Sequence, residues 1–131
     1  MTLIVCLDQQ NGLMFNNRRQ SFDRYVQNMI QERVSDQPLI VAEYSIKKFP
    51  DAQAVNTMPA SFDGFCFAET KELATSCLPF AETVIVYRWD KSYPADTYFS
   101  VEESELFELT DSFEFEGYSH ETVTEEIYVR A

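Results

Sequence analysis

Two short stretches of the chain are apolar without a break, Leu3-Ile-Val-Cys-Leu7 and Leu39-Ile-Val-Ala42. Two more, Phe62 to Ala68 and Thr83-Val-Ile-Val-Tyr-Arg-Trp89, are nearly so. A strand with one face in water alternates polar and apolar residues, whereas a continuous run needs cover on both faces. Helix-period segments supply that cover. After Ser21, a helix cap by type, Phe22, Tyr25, Val26, Met29 and Ile30 recur at the spacing of one helix face, fading near Val34. Ser45 is placed to cap a short helix, Ile46 to Phe49, stopped by Pro50. Thr70 is placed to cap a helix whose face is Leu73, Ala74, Cys77 and Leu78, ended by Pro79. Residues 51–60 have no period and read as loop.

The last third differs. Leu106 to Phe115 and Thr122 to Arg130 alternate loosely with acids, as strands exposed on one face do, with Gly117 between them. The expected order is β-α-β-α-β-α-β followed by a hairpin. Helices between strands favour parallel pairing. The expected fold is therefore α/β: a mixed, mostly parallel sheet flanked by helices, with a C-terminal antiparallel hairpin. A chain of 131 residues suits a single domain over 1–131. Only 3 Gly and 5 Pro argue against low complexity.

Charge is uneven. Residues 1–50 hold six Lys/Arg against five Asp/Glu, and residues 51–131 hold four against seventeen, for a net −12. Such a surface repels phosphate backbones, so nucleic acid is not an expected partner. The only basic doublets are Arg18-Arg19 and Lys47-Lys48. The acids Glu102, Glu103, Glu105, Glu108, Glu114, Glu116, Glu121, Glu125 and Glu126 read as a solvated face or as protection of a strand edge. They lack the spacing of a calcium loop. Three cysteines without CxxC spacing suggest buried free thiols, not a zinc site. The start of the chain has no basic flank, and its apolar run is too short to span a bilayer. A cytoplasmic protein without a membrane partner is expected.

Several local stretches, taken in order, resemble dihydrofolate reductase. Leu3 to Asn16 is similar to the family's first strand and following loop. Pro38-Leu-Ile-Val-Ala-Glu-Tyr-Ser45 resembles its second strand and short helix. Leu78-Pro-Phe-Ala81 with the strand after it resembles the family's LP-x-A turn. Ala95-Asp-Thr-Tyr-Phe99 resembles its G-D-T-x-F motif, and Ser119-His120 falls where the last strand of the hairpin begins. The resemblance implies the family's fold, an NADPH site and a pterin-like substrate.

Three departures from the family bear on function. Where the family has G-R-x-T for the cofactor phosphate, this chain has Ala42-Glu-Tyr-Ser45, so Glu43 stands in place of the arginine. The glycine-rich turn that meets the pyrophosphate is replaced by Phe65-Cys-Phe-Ala-Glu-Thr70. A strand–helix portion is missing around residues 50–65. These changes oppose NADPH as cofactor. They point to a divergent domain that is not an active NADPH-dependent reductase, and that serves as a small-ligand-binding or protein-interaction module. The alternative is a small reductase acting on a pterin-like or other heteroaromatic substrate.

The resemblance places Asp23, one turn into the first helix, at the family's substrate carboxylate. It is the candidate catalytic residue, with helix-dipole stabilisation as its plainer role. Arg18 and Arg19 lie at a helix entrance, where a carboxylate or phosphate would be welcome. Pairing with the glutamates of the hairpin is the competing expectation. Asn16 and Ser45 complete the candidate ligand contacts. His120 is the only histidine, which rules out a multi-histidine metal cluster. It reads as a hydrogen-bonding turn residue, and no metal site is expected.

Overall fold

The computed structural model describes residues 1–102 and 105–131. Glu103, in the acidic run, therefore lies outside the described residues. Among the described residues, ten strands form in chain order. They are β1 (Thr2–Leu7), β2 (Gly12–Phe15), β3 (Arg18–Arg19), β4 (Leu39–Val41), β5 (Gln53–Ala54), β6 (Phe65–Phe67), β7 (Thr83–Trp89), β8 (Thr97–Tyr98), β9 (Phe107–Phe115) and β10 (Val123–Arg130). Two helices, α1 (Arg24–Val34) and α2 (Lys71–Cys77), accompany them, with 3-10 turns at Glu43–Ser45 and Leu78–Phe80.

Seven strands make one sheet in the order β5-β4-β6-β1-β7-β10-β9. From β5 through β7 the pairing is parallel. β10 then runs antiparallel to both β7 and β9. The unbroken apolar run of β1 is used on both faces. Leu3, Val5 and Leu7 pack into a core with Leu73, Ala74 and Cys77 of α2, while Ile4 and Cys6 join Val26, Ile30 and Val34 of α1. Side chains alternate along a strand, so one apolar run serves two layers. All three cysteines are buried free thiols.

Several local expectations are corrected. Asp23, not Ser21, caps α1: its backbone is extended and its Oδ1 accepts the Tyr25 N–H at 2.8 Å. The predicted helix over Ile46 to Phe49 is instead a 3-10 turn at Glu43–Ser45 followed by further turns. Ser45 lies inside that turn, and its hydroxyl donates to Glu69 and caps nothing. Within the expected loop 51–60, Gln53 and Ala54 add an edge strand to β4. The third strand is shorter than expected, only Phe65–Phe67. Thr70 does cap α2, accepting the Leu73 N–H at 3.3 Å. Pro79 does not stop the chain's turning, because proline is tolerated in the first turn of the 3-10 segment that follows.

The hairpin forms as expected, but β9 is open to water on both faces. It is the sheet's edge and no helix covers it, so Leu109 and Phe113 are more than half exposed. A second sheet, β3-β2-β8, was not anticipated. Its β2–β3 hairpin turns on Asn16 and Asn17, both at positive φ (51° and 59°). Two such residues in a two-residue loop match the twist of the strands they join, and asparagine tolerates that backbone.

Candidate functional site

In open α/β sheets, ligands bind beyond the carboxyl ends of strands where the winding reverses. Here the reversal lies at β1, which pairs with β6 on one side and β7 on the other. The small β3-β2-β8 sheet stands beside this point and brings Arg19 to it. Beside an open hollow of about 780 Å³ that includes Gln9, Asp90 and His120, the crevice there holds a recess of about 10 Å³, lined by Cys6, Leu13, Arg19, Gln20, Ser21, Ala68, Glu69 and Trp89. That is room for about one water molecule.

The crevice is filled by the protein's own side chains. Arg19 donates from Nε to Glu69 Oε2 at 2.6 Å and from Nη2 to Oε1 at 2.7 Å. Ser45 Oγ donates to the same Oε1 at 2.6 Å. The guanidinium lies 4.6 Å from the Tyr44 ring centre and 5.6 Å from that of Phe22. The Arg19 N–H donates to the Tyr44 hydroxyl at 3.0 Å, pinning β3 to the 43–45 turn. The bidentate bond to Glu69 raises the Arg19 pKa despite burial. Its partner is therefore Glu69, at the end of β6, and not a glutamate of the hairpin. The hairpin's acids pair with other arginines: Arg33 with Glu125 at 2.8 Å and Arg88 with Glu126 at 2.9 Å.

Asp23 is 2 % exposed, and both its oxygens are engaged. Oδ1 accepts the N–H groups of Tyr25 (2.8 Å) and Tyr118 (3.0 Å). Oδ2 accepts Ser119 N–H (2.8 Å), Ser119 Oγ–H (3.1 Å) and His120 Nδ1–H (3.0 Å). Burial alone would raise this carboxyl; the bonds from His120 and the three backbone amides outweigh it and hold the pKa well below the usual carboxylate range. Gly117 makes the close approach possible, since a Cβ there would meet Asp23 Oδ2 and the His120 carbonyl at 2.9 Å each. An ionised carboxylate has about four lone-pair sites, and these bonds fill them.

Asn16, Arg18 and Arg19 come together at an open hollow of about 580 Å³, with Phe15, Gln20, Tyr93 and Pro94. The Asn16 N–H donates to Asp96 Oδ2 at 3.0 Å. Among the described residues, Arg18 is exposed and forms no ion pair. Ser45 is not part of this hollow. Glu43, Tyr44, Ile46, Lys47 and Lys48 line a separate shallow hollow on the far side of Arg19. Lys48 is turned in part toward Phe22, its Nζ 4.8 Å from the ring centre.

The sequence reading missed Asp8 and Glu69 as organising acids. Asp8 is 1 % exposed and accepts N–H groups from Gln10, Gly12 and Tyr93 and from the Gln20 amide. Its pKa is lowered, burial notwithstanding, by those bonds. The visible signal was an acid closing an apolar strand and followed by a turn, Asp8 to Gly12. Among the described residues, no three His, Cys, Asp or Glu side chains group as metal ligands. Among them, too, no helix is long and apolar enough to cross a membrane.

No family model and no curated protein matches the sequence. Among solved structures, a dihydrofolate reductase from Enterococcus faecalis, complexed with NADP(H) and RAB-propyl, aligns with a TM-score of 0.71. The alignment covers 98% of this chain and 95% of that one, at 11% identity. Strand order, the closing hairpin and the crevice at β1 thus belong together: the chain has a dihydrofolate-reductase-like fold.

Proposed function

We propose that this chain is a dihydrofolate-reductase-like domain that binds a small organic anion and does not act as an NADPH-dependent reductase. One observation carries the reading. The Arg19–Glu69–Ser45 network fills the crevice between the ends of β1 and β6, leaving a recess of about 10 Å³ there. Ligand pockets run to hundreds of Å³. Glu69 also presents a carboxylate where a pyrophosphate would need backbone N–H groups, and Glu43 adds a second like charge nearby.

The hollow beside Asn16 and Arg18 offers another place for a ligand. Arg18 supplies bidentate donors, and Phe15 and Tyr93 supply flat apolar walls. A small planar carboxylate or phosphate fits that chemistry. Asp23, with its lone pairs filled, acts here as the clamp between α1 and the 117–120 turn and not as a substrate anchor.

Isothermal titration decides between the readings. NADPH is expected to give no heat of binding, while a panel of small aromatic carboxylates and phosphates yields a binder. Arg18→Ala is expected to abolish that binding. Tight NADPH binding with turnover of dihydrofolate would overturn the proposal.

A further inference from the structure

His120 is buried on the turn that leads into β10, yet both its ring nitrogens are used. Nδ1 lies 3.0 Å from Asp23 Oδ2, and Nε2 lies 2.7 Å from Ser21 Oγ. A carboxylate only accepts, so Nδ1 carries the proton and Nε2 is left to accept from the Ser21 hydroxyl. The ring is fixed between two aromatics. Trp89 stacks on it at 4.4 Å and 15°, and Tyr93 meets it edge-on at 6.4 Å. Asp23 is held ionised and immobile by the backbone amides already described. Ser21 is only half-buried, and it lines the recess at the β1 crevice.

The geometry points to a nucleophilic serine: Ser21 attacks, His120 is its general base, and Asp23 positions the imidazole. The arrangement of a hydroxyl, an imidazole and a carboxylate in hydrogen-bond sequence is the one that acyl transfer requires, whatever the fold. Arg19 lines the same recess. Its Nε and Nη2 are both held by Glu69. The recess has apolar walls in Cys6, Leu13, Ala68 and Trp89 and little volume. That volume holds no acyl group, so the ester carbonyl meets Ser21 from its half-exposed side, and the substrate class is a small carboxylic ester.

The step balances without a co-reactant other than water. Ser21 Oγ forms a bond to the ester carbonyl carbon while its proton passes to His120 Nε2. The C–O bond to the alcohol then breaks, and the leaving oxygen takes that proton. Water repeats the sequence on the acyl-serine, releasing the carboxylic acid and restoring the hydroxyl. This inference stands whether or not the hollow at Arg18 takes an anion.

Two experiments test it. A fluorophosphonate probe, which forms an Oγ–P bond and expels fluoride, should label the wild-type protein, with the adduct mapped to Ser21 by mass spectrometry. Ser21→Ala should not label, and His120→Gln should label about 10²–10⁴-fold more slowly, the range for loss of a general base. Hydrolysis of p-nitrophenyl acetate should follow the same order. Absence of wild-type labelling, or an adduct on another residue that persists in Ser21→Ala, overturns the proposal. Long-range 1H–15N correlation of the unmodified protein at neutral pH reads the tautomer without any variant. The Nδ1–H form is expected, with a switch in Asp23→Asn; an Nε2–H form in the wild type overturns the relay.

Discussion

Arg18 and Arg19 are neighbours on one two-residue strand, yet they sit in opposite settings. Successive side chains of a strand point to opposite faces. Arg19 turns inward, stacks on Tyr44 and locks onto Glu69. Arg18 turns outward over the hollow with Phe15 and Tyr93. The inner region is nearly closed, and it pairs its charges with each other. The outer one keeps a cation and aromatic surface available. A basic doublet in an acidic chain is thus two separate settings, one paired inside the fold and one exposed at its surface.

The largest expected effect comes from breaking the inner region. Glu69→Ala leaves Arg19 without its carboxylate and Ser45 without its acceptor, in a site where Glu69 has 6 % side-chain exposure. Removing one partner of a buried pair costs about 3–5 kcal/mol. A urea unfolding midpoint measures it, and a loss under about 1 kcal/mol would mean that the pair does not hold the crevice shut.

Asp23→Ala comes next, at about 2–3 kcal/mol, because it removes a helix cap and the charge-assisted bonds to the 118–120 turn together. It also carries a pH signature. The folded-state pKa of Asp23 is depressed, so its stabilisation is present above the unfolded carboxyl value of about 3.9 and is lost as pH falls below it. Asp8 adds to the same acid limb, since its pKa is also lowered. Stability of the wild type should therefore decline below about pH 4, and Asp23→Asn should show a shallower decline.

A smaller effect tests the hairpin that separates the two arginines. Asn17 sits at φ 59°, where a β-branched side chain is strained. Asn17→Val should cost about 1–2 kcal/mol, whereas Asn17→Gly should be close to neutral. Should the valine variant be as stable as the wild type by thermal melting, the β2–β3 turn is not fixed by its own backbone. The smallest expected change is in the stability of Arg18→Ala, within about 0.5 kcal/mol of wild type, as for exposed surface changes. The same variant should lose the anion titrated at the hollow, so stability and binding separate at this residue and not at Arg19.

Much of the sheet was legible because buried strands announce themselves. β1, β4 and β7 stand out as short apolar runs, and the helix period between Val26 and Val34 has no competing reading. The second sheet was not legible as such. Strands of two residues carry too few side chains to show a period. The consecutive asparagines at 16 and 17 were the one available sign, as a pair able to take positive φ between Gly12–Phe15 and the arginines. The end of α1 was misplaced by two residues because Ser21 and Asp23 are both good caps by type. The distant 118–120 turn chose between them by donating to Asp23.

By itself, then, the sequence determined the buried strands, the helices α1 and α2, and the closing hairpin. Those properties are local, since they depend on residue type and period along the chain. Only the tertiary structure decided that Arg19 meets Glu69, fifty residues away, and that His120 stands between Ser21 and Asp23. Long-range partners of this kind are fixed by strand order and register, and no spacing within one segment encodes them.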